Sequence, residues 1–188
     1  MSDDEQLLSV AREAIMGRLG DAPFPDPDPA AYPPALRVPA ACFVTLLKEG
    51  GLRGCVGAFE ARDPLVLAAA RNAVRAAFHD TRFPPLTREE ARGIHLEISI
   101  LSRPEPLGVA DEAALLSALR PGVDGLILRQ GGRTATFLPS VWEQLPDPVQ
   151  FVRHLKAKGG WNPDGWPEGM CCERYTARKV KETEFPAS

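Results

Sequence analysis

No apolar run in this chain approaches the roughly 18 residues that a membrane-spanning helix needs, so no membrane anchor is expected. It also lacks a dense lysine and arginine cluster: 22 basic side chains stand against 25 acidic ones, a formal charge of -3. Nucleic-acid binders usually carry a basic stripe, so a nucleic-acid partner is not expected either. There is no Cys-x-x-Cys pair, and His79, His95 and His154 are not at metal-finger spacing, which argues against a structural metal. No glycine-rich phosphate loop of known spacing, no cofactor signature and no internal repeat occurs. The opening residues, Met1-Ser2-Asp3-Asp4-Glu5, lack a basic-then-apolar leader, so a cytoplasmic location is expected. In that setting the four cysteines are expected to stay reduced. Cys171 and Cys172, if they lie on a strand, point to opposite faces, which disfavours a bond between them.

What is present suits a soluble α+β protein. The 188 residues are enough for one domain, with or without a small second lobe, and 44% hydrophobic against 25% charged content is ordinary. Residues 3–20 have the period of an amphipathic helix, with Leu7, Leu8, Ala11, Ile15 and Leu19 on one side. The proline-rich stretch from Pro23 to Pro39 reads as an extended arm, so residues 1–40 form helix and arm and residues 41–188 the body. Residues 42–48 and 52–59 read as a hairpin turning at Gly50 and Gly51. Asp63 and Pro64 open an alanine-rich helix that runs to about His79. Thr87 and Glu90 have the spacing of a capping box for a short helix. Residues 94–101 alternate as a strand, with Ile94, Leu96, Ile98 and Ile100 on one face and His95, Glu97 and Ser99 on the other. A helix follows from Asp111 to before Pro121, then a hairpin around Gly131 and Gly132. A last helix opens at Asp147 and Pro148 and closes at Gly159 and Gly160. A loop with Trp161 and Trp166 leads to a closing strand over 171–179. Hairpins interspersed with single helices predict an antiparallel or mixed sheet with helices packed on it.

The segment Leu52-Arg53-Gly54-Cys55-Val56-Gly57 carries the most chemistry. Side chains two apart on a strand share a face, so Arg53 and Cys55 are expected to look into one space. A guanidinium near a thiol favours the thiolate, the reactive form. Cys55 is therefore a candidate nucleophile and Arg53 an anion clamp; the competing reading is a buried structural thiol beside an arginine paired to a carboxylate. Gly54 and Gly57 mark a bulge or a close backbone approach. Glu97, in mid-strand between apolar neighbours, is a candidate general base or orienting acid, or else a structural partner of Arg53. Asp80 and Arg82 lie in a loop stiffened by Phe83 and two prolines and could line the rim of a substrate site, with Ser99 as a further ligand contact. Trp161 and Trp166 could form a lid or close a core edge. Lys156 and Lys158 are accounted for by the helix dipole.

Several segments then stand in order: Phe43 to Leu46, Leu52 to Gly57, Ala76 to Leu86, Leu96 to Leu101, Gly122 to Leu128, and Thr136 to Pro139. This succession resembles the AMMECR-domain family, whose bacterial and archaeal members are called AmmeMemoRadiSam system protein A, over roughly residues 5–185. The resemblance implies an α+β fold with two subdomains and a central antiparallel sheet. It also implies association with a Memo-like protein and a radical S-adenosylmethionine enzyme, to which any iron–sulfur cluster or S-adenosylmethionine would belong. It brings no settled activity. The chain departs from the family pattern at Ser140, where glutamine is usual, and at Thr81, where proline is common. The expectation is an enzyme or enzyme component acting on a small anionic molecule, or alternatively a non-catalytic adaptor for those partners.

Overall fold

The computed structural model describes residues 1–20 and 25–182. The chain divides into two compact units, one formed by Met1–Leu101 with the chain after Ala177, the other by Ser102–Ala177. Each unit has its own antiparallel sheet of four strands and its own core. The α+β class and the two subdomains are as expected, with the strands shared between two sheets where one central sheet was anticipated.

In the first unit, α1 (Asp3–Leu19) starts at a capping box in which Ser2 and Glu5 satisfy each other's backbone N–H. It buries Leu7, Val10, Ala11, Ala14 and Ile15. The start of the proline-rich stretch, residues 23–24, lies outside the described residues. The rest is not simply extended: Pro29–Ala31 makes a 3-10 turn and Pro34–Arg37 a short helix, α2, whose Leu36 is buried. Proline is tolerated in the first turn of a helix, where its missing N–H would have had no partner, and both turns begin that way.

The hairpin joins β1 (Cys42–Lys48) to β2 (Gly51–Gly57). Its left-handed residues are Glu49 and Gly50, with φ of 51° and 79°, so Gly51 is not the second one. After β2 comes α3 (Leu65–Phe78), then a 3-10 turn, Glu90–Arg92, and β3 (Ile94–Leu101). The helix begins without a side-chain cap: the Asp63 carboxylate binds Arg71 and leaves the N-terminus to Pro64.

The first sheet has the strand order β2, β1, β3, β8, where β8 is Ala177–Lys181. Cys42, Val44 and Leu46 face Ile100, Ile98 and Leu96 across β1 and β3, and this side forms the core with α1 and α3. The opposite side carries Phe43, Thr45 and Leu47 against Ser99, Glu97 and His95. A Cβ built on Gly54 would collide with the carbonyl oxygen of Ala76 in α3. The glycine is therefore what lets the helix backbone lie on β2. We expect Gly54→Ala to lower the unfolding free energy by about 1–3 kcal/mol, measured by urea denaturation; an unchanged midpoint would mean α3 shifts freely.

The second unit contains β4 (Glu105–Leu107), α4 (Glu112–Ala118), β5 (Gly125–Gln130), β6 (Arg133–Phe137), α5 (Pro148–Lys158) and β7 (Cys171–Tyr175), with sheet order β4, β7, β5, β6. Asp111 and Asp147 cap α4 and α5 through their carboxylates, as their sequence positions predict. Trp161 is buried and donates its indole N–H to the Gln130 side chain at 3.0 Å, and Trp166 packs on the same core. The expected closing strand is two strands: the chain breaks at Thr176, β7 entering the second sheet and β8 the first. Cys171 is exposed and Cys172 buried, the alternation a strand requires.

Candidate functional site

A bulge reshapes the Leu52–Gly57 segment. Leu46 pairs with Gly54 but Leu47 pairs with Leu52, so Arg53 is an extra residue with no partner on β1. The simple alternation that would put Arg53 and Cys55 side by side is thereby broken. Arg53 is buried, and its guanidinium holds the Glu90 carboxylate at 3.2 and 3.0 Å and the Pro84 carbonyl at 2.9 Å. Its Nη1 is buried with no hydrogen-bond partner among the described residues, and the Phe83 ring lies 5.8 Å from the guanidinium carbon. Glu90 also receives Lys48 at 3.1 Å and exchanges hydrogen bonds with Thr87, so the expected capping-box bonds form, though over a single 3-10 turn. Arg53, then Lys48 and the Thr87 N–H, pull the Glu90 carboxyl down to about 2 against the opposing effect of burial.

The cation beside Cys55 is Arg82. Asp80, whose side chain is 5% exposed, accepts the Cys55 backbone N–H at 2.9 Å and the Arg82 guanidinium at 2.9 and 2.6 Å. Arg82 Nη2 in turn donates to the Cys55 carbonyl at 3.3 Å. The pair thus occupies both main-chain groups of Cys55 on the outer edge of β2, where a further strand would bind. The Arg82 hydrogen bond, ahead of those from backbone N–H groups, holds the Asp80 carboxyl well below the usual carboxylate range despite burial. Asp80 in turn raises the pKa of Arg82, and attraction to the Cys55 thiolate adds a smaller contribution of the same sign.

On the sheet face Cys55 stands opposite Thr45, and Thr45 opposite Glu97. The Thr45 hydroxyl donates to Cys55 Sγ at 3.3 Å. Glu97 pairs with Lys181 of β8 at 2.9 Å, not with Arg53. Three strands therefore lay Cys55, Thr45 and Glu97 in one row, with Cys55 half-buried and Asp80 and Arg82 clipped to its end. Ser99 lies in the next row, opposite Phe43, and a Cβ at Gly57 would meet the Phe43 ring. His95 is exposed, opposite Leu47. Sequence reading missed Thr45, Lys181 and Glu90. Thr45 could have been found by pairing the alternation of β1 with that of β3; the other two depend on long-range packing.

Of the remaining thiols, burial pushes Cys42 up to about 11 and, with Cys171 adding to it, Cys172 up to about 12. No cluster of three or more metal-ligating side chains occurs among the described residues, and no described helix is long and apolar enough to cross a membrane.

Fold and site together define a class: a two-unit α+β protein with a cysteine on an edge strand, clipped by an aspartate–arginine pair. The chain belongs to the AMMECR1 family, which matches residues 8–180. A protein of Methanothermobacter thermautotrophicus is 40% identical over 168 residues, 87% of this chain and 86% of the relative. One of Thermofilum pendens is 34% identical over 189 residues, covering 94% and 88% of the two chains. Among solved structures, the uncharacterized protein PH0010 from Pyrococcus horikoshii aligns with a TM-score of 0.83 at 31% identity, over 96% of this chain and 91% of that one.

Proposed function

We propose that the protein is an enzyme or enzyme component that acts on a small anionic molecule laid across the row from Cys55 to Glu97. The observation that carries this reading is that one half-buried cysteine receives the Thr45 hydroxyl at its thiol and the Arg82 guanidinium at its main-chain carbonyl, which brings a cation near the sulfur. Cys55 is the nucleophile: Sγ supplies the electron pair of a bond to an electrophilic carbon, and the leaving group departs with the pair of the bond that breaks. Arg82, at the rim, takes the anion-attracting role expected of Arg53. Two inter-strand spacings, about 10 Å, separate the backbones at Cys55 and Glu97. The carboxylate therefore acts on the far end of the ligand, as hydrogen-bond or proton acceptor, with Lys181 beside it.

A second reading is a non-catalytic subunit for a Memo-like protein and a radical S-adenosylmethionine enzyme. It draws on the fact that Asp80 with Arg82, and Glu97 with Lys181, already neutralise each other. Iodoacetate and iodoacetamide separate the two, because they differ in charge and little in size. The enzyme reading expects the anionic reagent to be favoured at Cys55 several-fold relative to a free thiol, and the preference to fall in Arg82→Gln. Equal relative rates, or a Cys55 that neither reagent reaches before unfolding, would favour the adaptor.

A further inference from the structure

Resting on the reading of Cys55 as a nucleophile, we propose that Thr45 is a positioning residue for that thiol: its hydroxyl fixes Sγ on the sheet face and stabilises the thiolate. Thr45 Oγ1 lies 3.3 Å from Sγ, with the hydroxyl as donor. The pairing favours this contact. Both main-chain groups of Cys55 are taken by Asp80 and Arg82 on the outer edge, so Cys55 and Thr45 form a pair without mutual backbone hydrogen bonds. Such pairs bring side chains closer than their hydrogen-bonded neighbours do. A β-branched side chain on a strand has restricted χ1 freedom, which keeps the hydroxyl in place.

The rest of the strand adds to the case. On this face β1 offers Phe43, Thr45 and Leu47, so the hydroxyl is the one polar group β1 contributes beside Cys55. Valine would satisfy strand propensity and volume equally well there, which leaves the hydrogen bond as what threonine adds.

The charged groups around the thiol come from every neighbouring element. Arg82, from the loop after α3, favours the thiolate, and Asp80 neutralises part of that charge. Glu97 of β3 opposes ionisation, and Lys181 of β8 offsets it. His95 lies on the same face of β3, opposite Leu47. On ionisation the S–H bond breaks and its proton passes to solvent, while Thr45 keeps its own proton and shares it with sulfur. No oxidant or further reactant is required.

The test is a pH titration of the Cys55 13Cβ resonance in the full chain, which reads the thiolate whether or not a reagent can reach it. Burial pushes Cys42 and Cys172 up, and the exposed Cys171 is told apart by its own assigned resonance. Thr45→Val is expected to raise the midpoint by about one pH unit, a tenfold loss of thiolate at neutral pH, and Thr45→Ser to restore it. Thr45→Ala provides the same comparison should valine disturb the sheet. Superimposable profiles for wild type, valine and alanine variants would overturn the proposal, as would a serine variant that fails to recover. If the midpoint shifts as expected while alkylating reagents never modify Cys55 in the folded chain, the nucleophile reading fails and the role of Thr45 at the thiol stands.

Discussion

Replacing Glu112 by alanine is expected to destabilise the second unit by about 3–5 kcal/mol, the usual cost of leaving a buried charge without its partner. Lys156 of α5 is fully buried, and its ammonium is held by the Glu112 carboxylate and by the Gly165 carbonyl at 2.9 Å. Glu112 lies in the first turn of α4 and Gly165 in the tryptophan loop, so one ammonium ties three segments together. Without Glu112 the cation keeps a single carbonyl and must either shed its proton or draw in water. The double variant Lys156→Met with Glu112→Ala removes both charges and keeps most of the buried volume, and should recover much of the loss. Guanidinium denaturation of the two variants decides it. A loss under about 1 kcal/mol for Glu112→Ala would mean that the pair behaves like an exposed one.

The second large effect is acid sensitivity of the first unit. Asp80 and Glu90 both have folded pKa values below their unfolded ones, Glu90 at about 2. For a carboxylate so depressed, the stabilisation is fully present above the unfolded pKa, near 4, and is lost as pH falls through the folded value. Stability should therefore be flat from neutral pH to about 5 and drop by several kcal/mol towards pH 2. Glu90→Gln should start lower at pH 7 and fall less steeply, because one of the two linked protons has been removed. Urea midpoints at a series of pH values measure this. A Glu90→Gln profile parallel to wild type would show that the ion pair with Arg53 does not carry the linkage.

Local chemistry made much of the fold legible. The capping aspartates at 111 and 147, the paired glycines at 131 and 132, and the strict alternation of residues 94–101 each act within a few residues, and each element formed where they placed it. What escaped depends on packing between distant segments. Gly54 marked the irregularity in β2, but where the bulge sends Arg53 was not legible, because its partners Pro84 and Glu90 lie 31 and 37 residues further along the chain. Arg53 is held by Glu90, and Arg82, 27 residues from Cys55 along the chain, is the cation on the Cys55 main-chain carbonyl. The break at Thr176 is equally non-local, because adjacent residues of one extended run serve two sheets. Lys156 has the position of a helix-dipole lysine and became a buried ion because α4 and the tryptophan loop close over it.

The central claim is that Cys55 is an accessible, activated thiol. The most direct measurement is the alkylation rate of each cysteine against pH, read peptide by peptide in the folded protein. Cys55 is expected to react well ahead of Cys42 and Cys172 in the folded protein. A Cys55 protected until the chain unfolds, or one that reacts no faster than the buried thiols, would contradict it.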